Sequence, residues 1–431
     1  MPCARSRWNS VQNQSFDLSS ARLNVTRFND LTFPMRVALI ASSLRLAGAE
    51  KQFSYMARTL NESGIDARVF YLGGGDHYQK VLTDAGVPVR QIFNRGHPLL
   101  MLVRLIKELA ALKPHIVLAS QFGDLVFAGL AGRLCGALVL GGVRSDGFYE
   151  LRTSGRRSWP MLKLTHGIIA NSHRAKGNLV SLGIDAQKIE VLPNVIDLPD
   201  FDHRMAKPFA NVKLSGRVPI AAVGSLHNCK RFDRFLDGLA LARQREPNLF
   251  GVIAGKDLGE QDALERKAKA LGLFPDHVEF LGECENVPSL LARSRILVSC
   301  SDYEGFPNVI LEAMAARLPV LATPAGDAGR IVKDKITGYL LPPDDAQLMA
   351  ARIVSLVRAP AFSQQMGEAG RKLVEQDYSV TSLVPRLVSV FSDFARKHRR
   401  KSILSMLQQR PSVNSGSTPR VSPHGLPVSV A

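Results

Sequence analysis

The sequence predicts an α/β protein with two doubly wound parallel sheets that face each other across a cleft. Three observations support this prediction. Short runs rich in Val, Ile, Leu and Ala alternate with helical patterns, as in parallel sheets covered by helices on both faces. The alternation stops in an irregular, Pro-containing stretch at 193–217 and then starts again. The chain has 431 residues, which is long for one hydrophobic core.

The first domain is predicted to span 35–205, and it begins with the buried-strand run MRVALIAS. Its strand runs are short, apolar and bounded by polar or Gly-containing sequence. Strands are expected at 36–41, 67–72, 115–120, 137–143 and 167–172, and helices at about 49–63, 98–112 and 124–136.

The second domain is predicted to span 206–378. Its strands are expected at 218–225, 249–255, 278–282, 295–301 and 319–326, and its helices at 231–245, 259–271, 286–293, 307–317 and 345–358. A last helix is expected within 379–401, near 381–397. Its apolar stripe (Leu383, Leu387, Val390, Phe391, Phe394) would let it cross back to the first domain.

Both ends of the chain are expected to be disordered. Residues 1–34 are polar and have no sustained period, so Met35 is a candidate start codon. Residues 402–431 are rich in Ser and Pro, and the stretch from 395 onward holds seven Lys or Arg and no acidic residue. Removal of either end is therefore expected to leave the fold intact.

Composition narrows the classes of function. The formal net charge is +17, which suits phosphate-bearing ligands or an anionic membrane surface without requiring nucleic acid. The five Cys residues form no CxxC pair, so neither a disulfide framework nor a zinc site is expected, and a reducing cytoplasm fits. No apolar run of about 18 residues is present, so no spanning helix is expected.

The stretch 301–315, SDYEGFPNVILEAMA, is the most informative segment. It follows a predicted strand, so it lies at the carboxyl edge of the sheet, where ligands of such folds bind. Pro307 suits the start of a helix, and the first turn, Asn308–Ile310, would present unpaired N–H groups to an anion such as a diphosphate. Glu304 and Glu312 would flank this anion, and carboxylates accept hydrogen bonds from vicinal hydroxyls. A strand-to-helix turn with two surface carboxylates is the alternative interpretation.

This seam, a Glu-x7-Glu pattern around Gly-Phe-Pro-Asn, resembles the signature of glycosyltransferase family 4, retaining enzymes with the GT-B fold of two Rossmann-like domains. Four other segments resemble that family in order and spacing: SLRLAGAE (43–50), VLPNVID (191–197), AVGSLHNCKRFD (222–233) and TPAGDAGRIVKDKITGYLLPPDD (323–345). The similarity covers about 35–395.

The resemblance implies a role for each matching residue. Glu304 would hold hydroxyls of the transferred sugar, and Lys230, helped by Arg231, would neutralise the leaving diphosphate; these three form the catalytic set. Glu312 would bind the donor ribose. The remaining donor-binding residues would be Gly48, Gly224, Ser225, Gly282, Glu283, Cys284, Gly305, Phe306, Pro307, Asn308, Val309 and Ile310.

Two departures from the family pattern concern the chemistry. Ser225 stands where the family usually has Arg, so Arg231 is expected to supply the second phosphate cation. The acceptor-side His of many members is not evident, and Arg144 and Asp146 are the candidates in its place. Asp200-Phe201-Asp202 matches a metal-binding DxD pattern, but it lies in the linker. No cofactor and no strict metal requirement are therefore expected.

The expected partners are a nucleoside-diphosphate sugar and a glycan or lipid-linked acceptor, with no nucleic acid. Segment 147–163 mixes cations with aromatic residues, and helix 98–112 adds Arg104 and Lys107 beside an apolar face. Both patterns favour a cytoplasmic enzyme that touches an anionic membrane peripherally. A nucleotide-sugar epimerase of the same architecture is the alternative, and a basic nucleic-acid-binding protein is a third, which would leave the Glu-x7-Glu pattern unexplained.

Overall fold

The computed structural model describes residues 35–75, 77–92, 97–154, 158–209 and 214–408. The predicted extension 1–34 and the last part of the predicted tail, 409–431, lie outside the described residues. The described residues form two parallel sheets with helices on their faces, and the predicted fold class is confirmed.

The first sheet has seven parallel strands in the order β3-β2-β1-β4-β5-β6-β7. The strands are β1 Arg36–Ala41, β2 Asp66–Tyr71, β3 Val89–Gln91, β4 Ile116–Ala119, β5 Leu138–Val143, β6 Gly167–Ala170 and β7 Ile189–Val191. The accompanying helices are α1 Gly48–Glu62, α2 His77–Asp84, α3 Pro98–Leu112, α4 Leu125–Leu134, α5 Phe148–Ser154, α6 Ser158–Leu164, α7 His173–Ser181 and α8 Leu198–Met205.

The second sheet has six parallel strands in the order β10-β9-β8-β11-β12-β13. The strands are β8 Val218–Val223, β9 Leu249–Ala254, β10 Val278–Phe280, β11 Ile296–Ser299, β12 Val320–Ala322 and β13 Gly338–Leu340. The helices are α9 Phe232–Arg243, α10 Gln261–Ala270, α11 Val287–Arg293, α12 Asn308–Ala315, α13 Ala328–Ile331, α14 Ala346–Arg358, α15 Pro360–Asp377, α16 Leu383–Lys397 and α17 Lys401–Gln408.

Burial on both faces explains why the strands are apolar throughout. Val37 and Leu39 of β1 belong to one hydrophobic cluster, while Ala38 and Ile40 belong to the cluster on the opposite face. Every residue of β5 and of β9 is buried. This pattern is typical of parallel strands that lie between two helical layers.

The strand order reverses between β1 and β4 in the first sheet and between β8 and β11 in the second. At such a reversal the loops leave the carboxyl ends of the strands in opposite directions and open a crevice. The loops after β1, β8 and β11 all line one cleft, so the two crevices face each other.

The chain passes between the domains twice, near Ile196 and near Ser379, and these two segments pair with each other. The N–H of Ile196 donates to Tyr378 O at 2.8 Å, and the N–H of Val380 donates to Ile196 O at 2.9 Å. After this crossing, α16 returns to the first domain, where Leu387, Phe391 and Phe394 join the cluster that covers β1. The Phe394 ring occupies the space that a side chain at Gly167 would need.

The sequence did not predict several helices and strands. The linker 193–217 is not wholly irregular, because α8 lies within it, and Asp202 of the DxD-like pattern binds Arg371 of α15 at 2.6 Å. The strands β3, β7 and β13 have only three residues each, too few to show a period.

The expectation that the chain is disordered from 402 onward is wrong for residues 402–408. They belong to α17, whose Ile403 and Leu407 are 3% and 4% exposed and join the same cluster as α16. Two apolar residues in a short, basic stretch were too weak a pattern to predict this helix from the sequence.

Ending the chain at Arg400 should lower the free energy of unfolding by about 3–6 kcal/mol relative to ending it at Gln408, because the burial of Ile403 and Leu407 is lost. Full burial of an Ile or Leu side chain stabilises by about 1.5–3 kcal/mol. Urea denaturation of the two truncated chains measures the difference. Ile403→Ser in the full chain should reproduce part of the loss, and Gln408→Ala, at an exposed position, should not. Equal midpoints for both truncations would show that α17 does not contribute.

Candidate active site

A cleft of about 880 Å³ separates the carboxyl edges of the two sheets. Most of the predicted site residues line it: Gly48, Gly224, Ser225, Lys230, Glu283, Cys284, Glu304, Phe306, Pro307, Asn308, Val309 and Glu312. These residues come from α1, from the loops after β8, β10 and β11, and from the start of α12. The fold therefore brings together segments that are far apart in the sequence.

The start of α12 presents backbone donors to this cleft. Pro307 is the N-cap residue rather than the first helical residue, and Asn308 and Val309 follow it along the cleft wall. Ile310 differs from its predicted role, because its side chain is fully buried and its N–H already donates to Pro307 O at 3.1 Å. The amides of Asn308 and Val309 are therefore the candidates of this turn for binding an anion.

Glu304 and Lys230 form an ion pair on the wall of the second domain. Lys230 Nζ lies 2.5 Å from Glu304 Oε1, and Ser301 Oγ donates to the same oxygen at 2.7 Å. Gly224 lies beside the Lys230 side chain and has a φ of 153°, which favours glycine. The two groups predicted to handle the sugar and the leaving group are thus in direct contact.

Glu312 forms an ion pair with Lys51, a residue that was not among the predicted site residues. Lys51 Nζ of α1 lies 2.9 Å from Glu312 Oε1, across the cleft. Burial lowers the pKa of Lys51, but the charge of Glu312 and its hydrogen bond raise it more, so the net direction is upward. The partner lies 261 residues away in the sequence, so no local pattern could reveal this pair.

The two domains also touch where α1 and α12 begin. A Cβ on Gly48 would lie 3.1 Å from Asn308 Nδ2, so this glycine permits the close approach of the two helix ends. The Asn308 side chain accepts a hydrogen bond from Asn194 Nδ2 at 2.8 Å. Both helix N-termini therefore point into the same part of the cleft, which favours an anion there.

Arg231 does not line the cleft. Its guanidinium lies 2.9 Å from Asp233, 3.1 Å from Asp302 and 3.5 Å from Asp344. The hydrogen bond to Asp233 is the largest cause of the raised pKa of Arg231. The expectation that Arg231 replaces the cation missing at Ser225 therefore does not fit the structure, because Arg231 lies outside the cleft and is held there by three aspartates.

Gly282 and Gly305 shape the walls instead of lining them. Gly282 has a φ of 65° and its carbonyl accepts from Gly255 N at 2.7 Å, which turns the chain toward Glu283 and Cys284. A Cβ on Gly305 would lie 2.5 Å from Ser145 O of the first domain. Glycine at 305 thus lets the loop after β11 pack directly on the first domain.

The two acceptor-side candidates have structural contacts. Arg144 Nε donates to Ser120 O at 3.2 Å, and burial lowers the pKa of Arg144 to about 10. Asp146 Oδ1 accepts from Tyr149 N at 2.9 Å, close to the start of α5. Neither residue lines the cleft. Their backbone nevertheless meets the donor side, because a Cβ on Gly305 would lie 3.0 Å from Arg144 O and 2.5 Å from Ser145 O.

Asp327 is a second contact between domains that the sequence reading missed. Its carboxylate accepts from His173 N at 2.9 Å and from Arg174 N at 3.0 Å, at the start of α7. Burial raises the pKa of Asp327, but the His173 ring and these amides lower it more, and the net direction is downward. In the described part of the chain, no group of three or more His, Cys, Asp or Glu residues is arranged to hold a metal ion.

Family models match both halves of the chain. Residues 46–199 match the model described as Glycosyltransferase Family 4, and residues 205–373 match the model described as Glycosyl transferases group 1. These two ranges contain all the residues that line the cleft except Asp200 and Arg204.

Curated relatives match over shorter stretches. N-acetyl-alpha-D-glucosaminyl L-malate synthase of Bacillus anthracis is 30% identical over 128 residues, which is 30% of this chain and 34% of the relative. The lipopolysaccharide core biosynthesis mannosyltransferase LpsB of Rhizobium meliloti is 29% identical over 202 residues, 44% of this chain and 54% of that protein. The chain thus spans about a third to a half of the length of these relatives.

Solved structures share the fold over most of the chain. Anabaena HepE in complex with UDP-glucose has a TM-score of 0.72 at 20% identity, with 83% of this chain and 99% of that chain covered. A glycosyltransferase from Rickettsia africae has a TM-score of 0.66 at 18% identity, with 88% and 100% covered. The chain belongs to family 4 of the glycosyltransferases, the group 1 transferases, and has their GT-B fold.

Proposed function

We propose that this protein is a retaining glycosyltransferase that moves a sugar from a nucleoside-diphosphate sugar to a glycan or lipid-linked acceptor in surface polysaccharide synthesis. The names of the relatives support this substrate class, since LpsB is a lipopolysaccharide core mannosyltransferase and a further relative from Salmonella typhi is a Vi polysaccharide biosynthesis protein. The HepE structures hold UDP and UDP-glucose, which makes a uridine donor the first one to test.

The observation that carries the proposal is the order of groups along one wall of the cleft. Glu304, paired with Lys230, lies in the loop that precedes the α12 N-terminus, and Glu312 lies one turn inside the helix. A diphosphate at the helix end would place its ribose hydroxyls near Glu312 and its sugar near Glu304. Each carboxylate can accept hydrogen bonds from two neighbouring hydroxyls.

The chemistry requires stabilisation of a leaving anion. Lys230 and the amides of Asn308 and Val309 can stabilise the nucleoside diphosphate as the bond to the sugar breaks. The fold positions these donors and this charge before the reaction, so they stabilise the anion without rearrangement. The proposal therefore includes no strict requirement for a divalent metal.

Retention of configuration follows if the acceptor attacks from the face that the leaving group vacates. The departing phosphate oxygen then accepts the proton of the acceptor hydroxyl, so the step needs no protein base. This agrees with the positions of Arg144 and Asp146, which lie outside the cleft.

A panel of nucleoside-diphosphate sugars tests the proposal. A donor at 100 times its dissociation constant should add about 2.7 kcal/mol to the free energy of unfolding. Labelled donor should be transferred only when an acceptor is present, also in the presence of a chelator. Conversion of the donor sugar without any acceptor would indicate an epimerase instead. Failure of every donor to bind or react would contradict the proposal.

We also propose that the first domain touches an anionic membrane surface. No helix in the described ranges is long and apolar enough to cross a bilayer. Leu99, Leu100 and Val103 of α3 are 62%, 55% and 50% exposed. The exposed Arg104 and Lys107 follow at helical spacing on the same face. Exposed apolar groups beside cations suit the interface of anionic lipids, and the proposed location is the cytoplasmic face.

The segment 147–163 contributes less to this surface than the sequence suggested. Arg156 and Arg157 lie outside the described residues. Met161 is 8% exposed and belongs to the core, whereas Tyr149 is 64% exposed.

Replacing Leu99, Leu100 and Val103 together by Ser should reduce binding to phosphatidylglycerol vesicles about 10-fold or more, because the apolar contact with the interface is lost. Co-sedimentation measures the bound fraction. A matched control replaces three exposed apolar residues of the second domain, Leu258, Ile336 and Phe362, by Ser. Equal binding by wild type and the α3 variant would contradict the proposed contact.

A further inference from the structure

Lys51 occupies a position that the proposed roles leave unexplained. It lies on α1 of the first domain, lines the cleft, and pairs with Glu312 of the second domain at 2.9 Å. Both side chains are largely enclosed, at 21% and 17% exposed. An ion pair of this kind contributes little to stability in general, because desolvation offsets the attraction. Its presence in the cleft therefore suggests a role in ligand binding.

The cations of the cleft differ in their availability. Among the described residues, five Lys or Arg side chains line the cleft: Lys51, Arg58, Arg204, Lys230 and Lys256. Arg58 binds Asp197, and Arg204 donates to Glu285 O at 2.6 Å, so both are held at the cleft wall. Lys51 and Lys230 are also paired, but their partners Glu312 and Glu304 are the two carboxylates proposed to bind the donor. Together with the exposed Lys256 they are the candidates to contact a diphosphate.

Lys51 is better placed for this than Lys256. Lys51 touches Glu312 on α12, the helix whose N-terminus forms the anion site, and it lies one turn into α1, whose own N-terminus meets Asn308. Lys256 follows β9, which is separated from β11 by β8, and its side chain is exposed. An anion between the two helix ends would thus have Lys230 on one side and Lys51 on the other.

We propose that Lys51 is the second diphosphate cation and that donor binding transfers it from Glu312 to the phosphates. This inference rests on the proposed function. The ribose hydroxyls would replace Lys51 on the Glu312 carboxylate, and the released ammonium would bind the diphosphate that arrives with the ribose. Lys51 thereby supplies the charge that Ser225 lacks and that Arg231, held by three aspartates outside the cleft, does not provide.

The transfer couples donor binding to the arrangement of the domains. Lys51 joins the two domains through Glu312 in this structure, and with a donor bound it would join them through the diphosphate. A ligand must break the hydrogen bond between Lys51 and Glu312 before its ribose can bind Glu312. A nucleoside has no phosphates, so it offers the released Lys51 no new partner. Nucleoside and nucleoside diphosphate should therefore respond differently to removal of Lys51.

Isothermal titration of Lys51→Met tests the inference, with the nucleoside diphosphate that binds wild type, UDP first, and the matching nucleoside. The diphosphate should bind about 10- to 100-fold more weakly, because a hydrogen bond between charged groups is lost. The nucleoside should bind equally well or up to about fivefold more tightly, since Glu312 has lost its competitor. Lys51→Arg, which keeps the charge, should restore most of the diphosphate affinity.

Lys188→Met is the matched control. Lys188 is exposed and precedes β7, at the sheet edge opposite the cleft, so its loss lowers the net charge without touching the site. Thermal unfolding checks that each variant is folded. Unchanged diphosphate affinity in Lys51→Met, or an equal loss for nucleoside and diphosphate, would overturn the inference. A loss in Lys256→Met instead of Lys51→Met would do the same.

The failure of this inference can be distinguished from failure of the proposed function. If wild type binds the diphosphate and Lys230→Met weakens it while Lys51→Met does not, only the role of Lys51 is wrong. If wild type binds none of UDP, GDP, ADP, CDP and dTDP, the proposed function is wrong as well.

Discussion

Replacing Glu304 by Ala should lower turnover at least about 100-fold while the affinity for the free nucleoside diphosphate stays the same or rises. Glu304 is proposed to hold the hydroxyls of the transferred sugar, and loss of that contact misplaces the reacting carbon. The free diphosphate has no sugar, so it loses no contact. Removal of Glu304 also frees Lys230, which now lies 2.5 Å from it, to bind phosphate.

Steady-state kinetics and calorimetry on the same preparation measure both effects. Glu304→Gln is the control, because it keeps the shape and one acceptor oxygen and should lose less activity. Ser301→Ala removes only the hydroxyl that donates to Glu304 at 2.7 Å and should have a small effect. A parallel loss of diphosphate affinity and turnover in Glu304→Ala would contradict a role confined to the sugar.

The second large effect is expected for Glu312→Ala, which should weaken nucleoside binding about 10- to 150-fold. A hydrogen bond to a charged group contributes about 1.5–3 kcal/mol. The nucleoside is the informative ligand, because its ribose is held by Glu312 while it lacks phosphates for Lys51 to bind. The diphosphate should lose less affinity, since Lys51 is released from Glu312 in the same variant.

Titration with both ligands measures this difference. Glu312→Gln keeps the side-chain length and should retain part of the nucleoside affinity. Unchanged nucleoside affinity in a folded Glu312→Ala variant would show that the ribose binds elsewhere. Equal losses in the Glu304 and Glu312 variants would contradict the separate roles of the two carboxylates.

Local patterns were sufficient to predict the fold and the position of the cleft. The predicted helix at 98–112 coincides with α3, and the predicted strands at 36–41 and 249–255 agree with β1 and β9 within one residue. Burial on both faces makes such strands continuously apolar, which is readable in sequence. The Glu-x7-Glu segment likewise agrees with its predicted position, after β11 and along the start of α12.

Contacts between distant residues were not predictable in this way. Arg231 follows a glycine turn at a strand end, as a phosphate-binding residue would. Its partner Asp233 is local, but Asp302 and Asp344 reach it from 71 and 113 residues away. Lys51 has no acidic partner nearby on its own helix face. Its partner Glu312 lies 261 residues away, so only the folded structure shows the pair. Ile310 was assigned an amide role that the turn at Pro307 prevents.

The most direct measurement for this protein is nuclear magnetic resonance of the bond formed in the product, compared with the anomeric bond of the donor. Retention is expected, because Lys230 and the α12 N-terminus would hold the departing diphosphate on the face where the acceptor attacks. The one-bond carbon–hydrogen coupling at the anomeric carbon distinguishes the two outcomes. A product with the same configuration as the donor is the predicted result, and an inverted product would contradict the proposed mechanism.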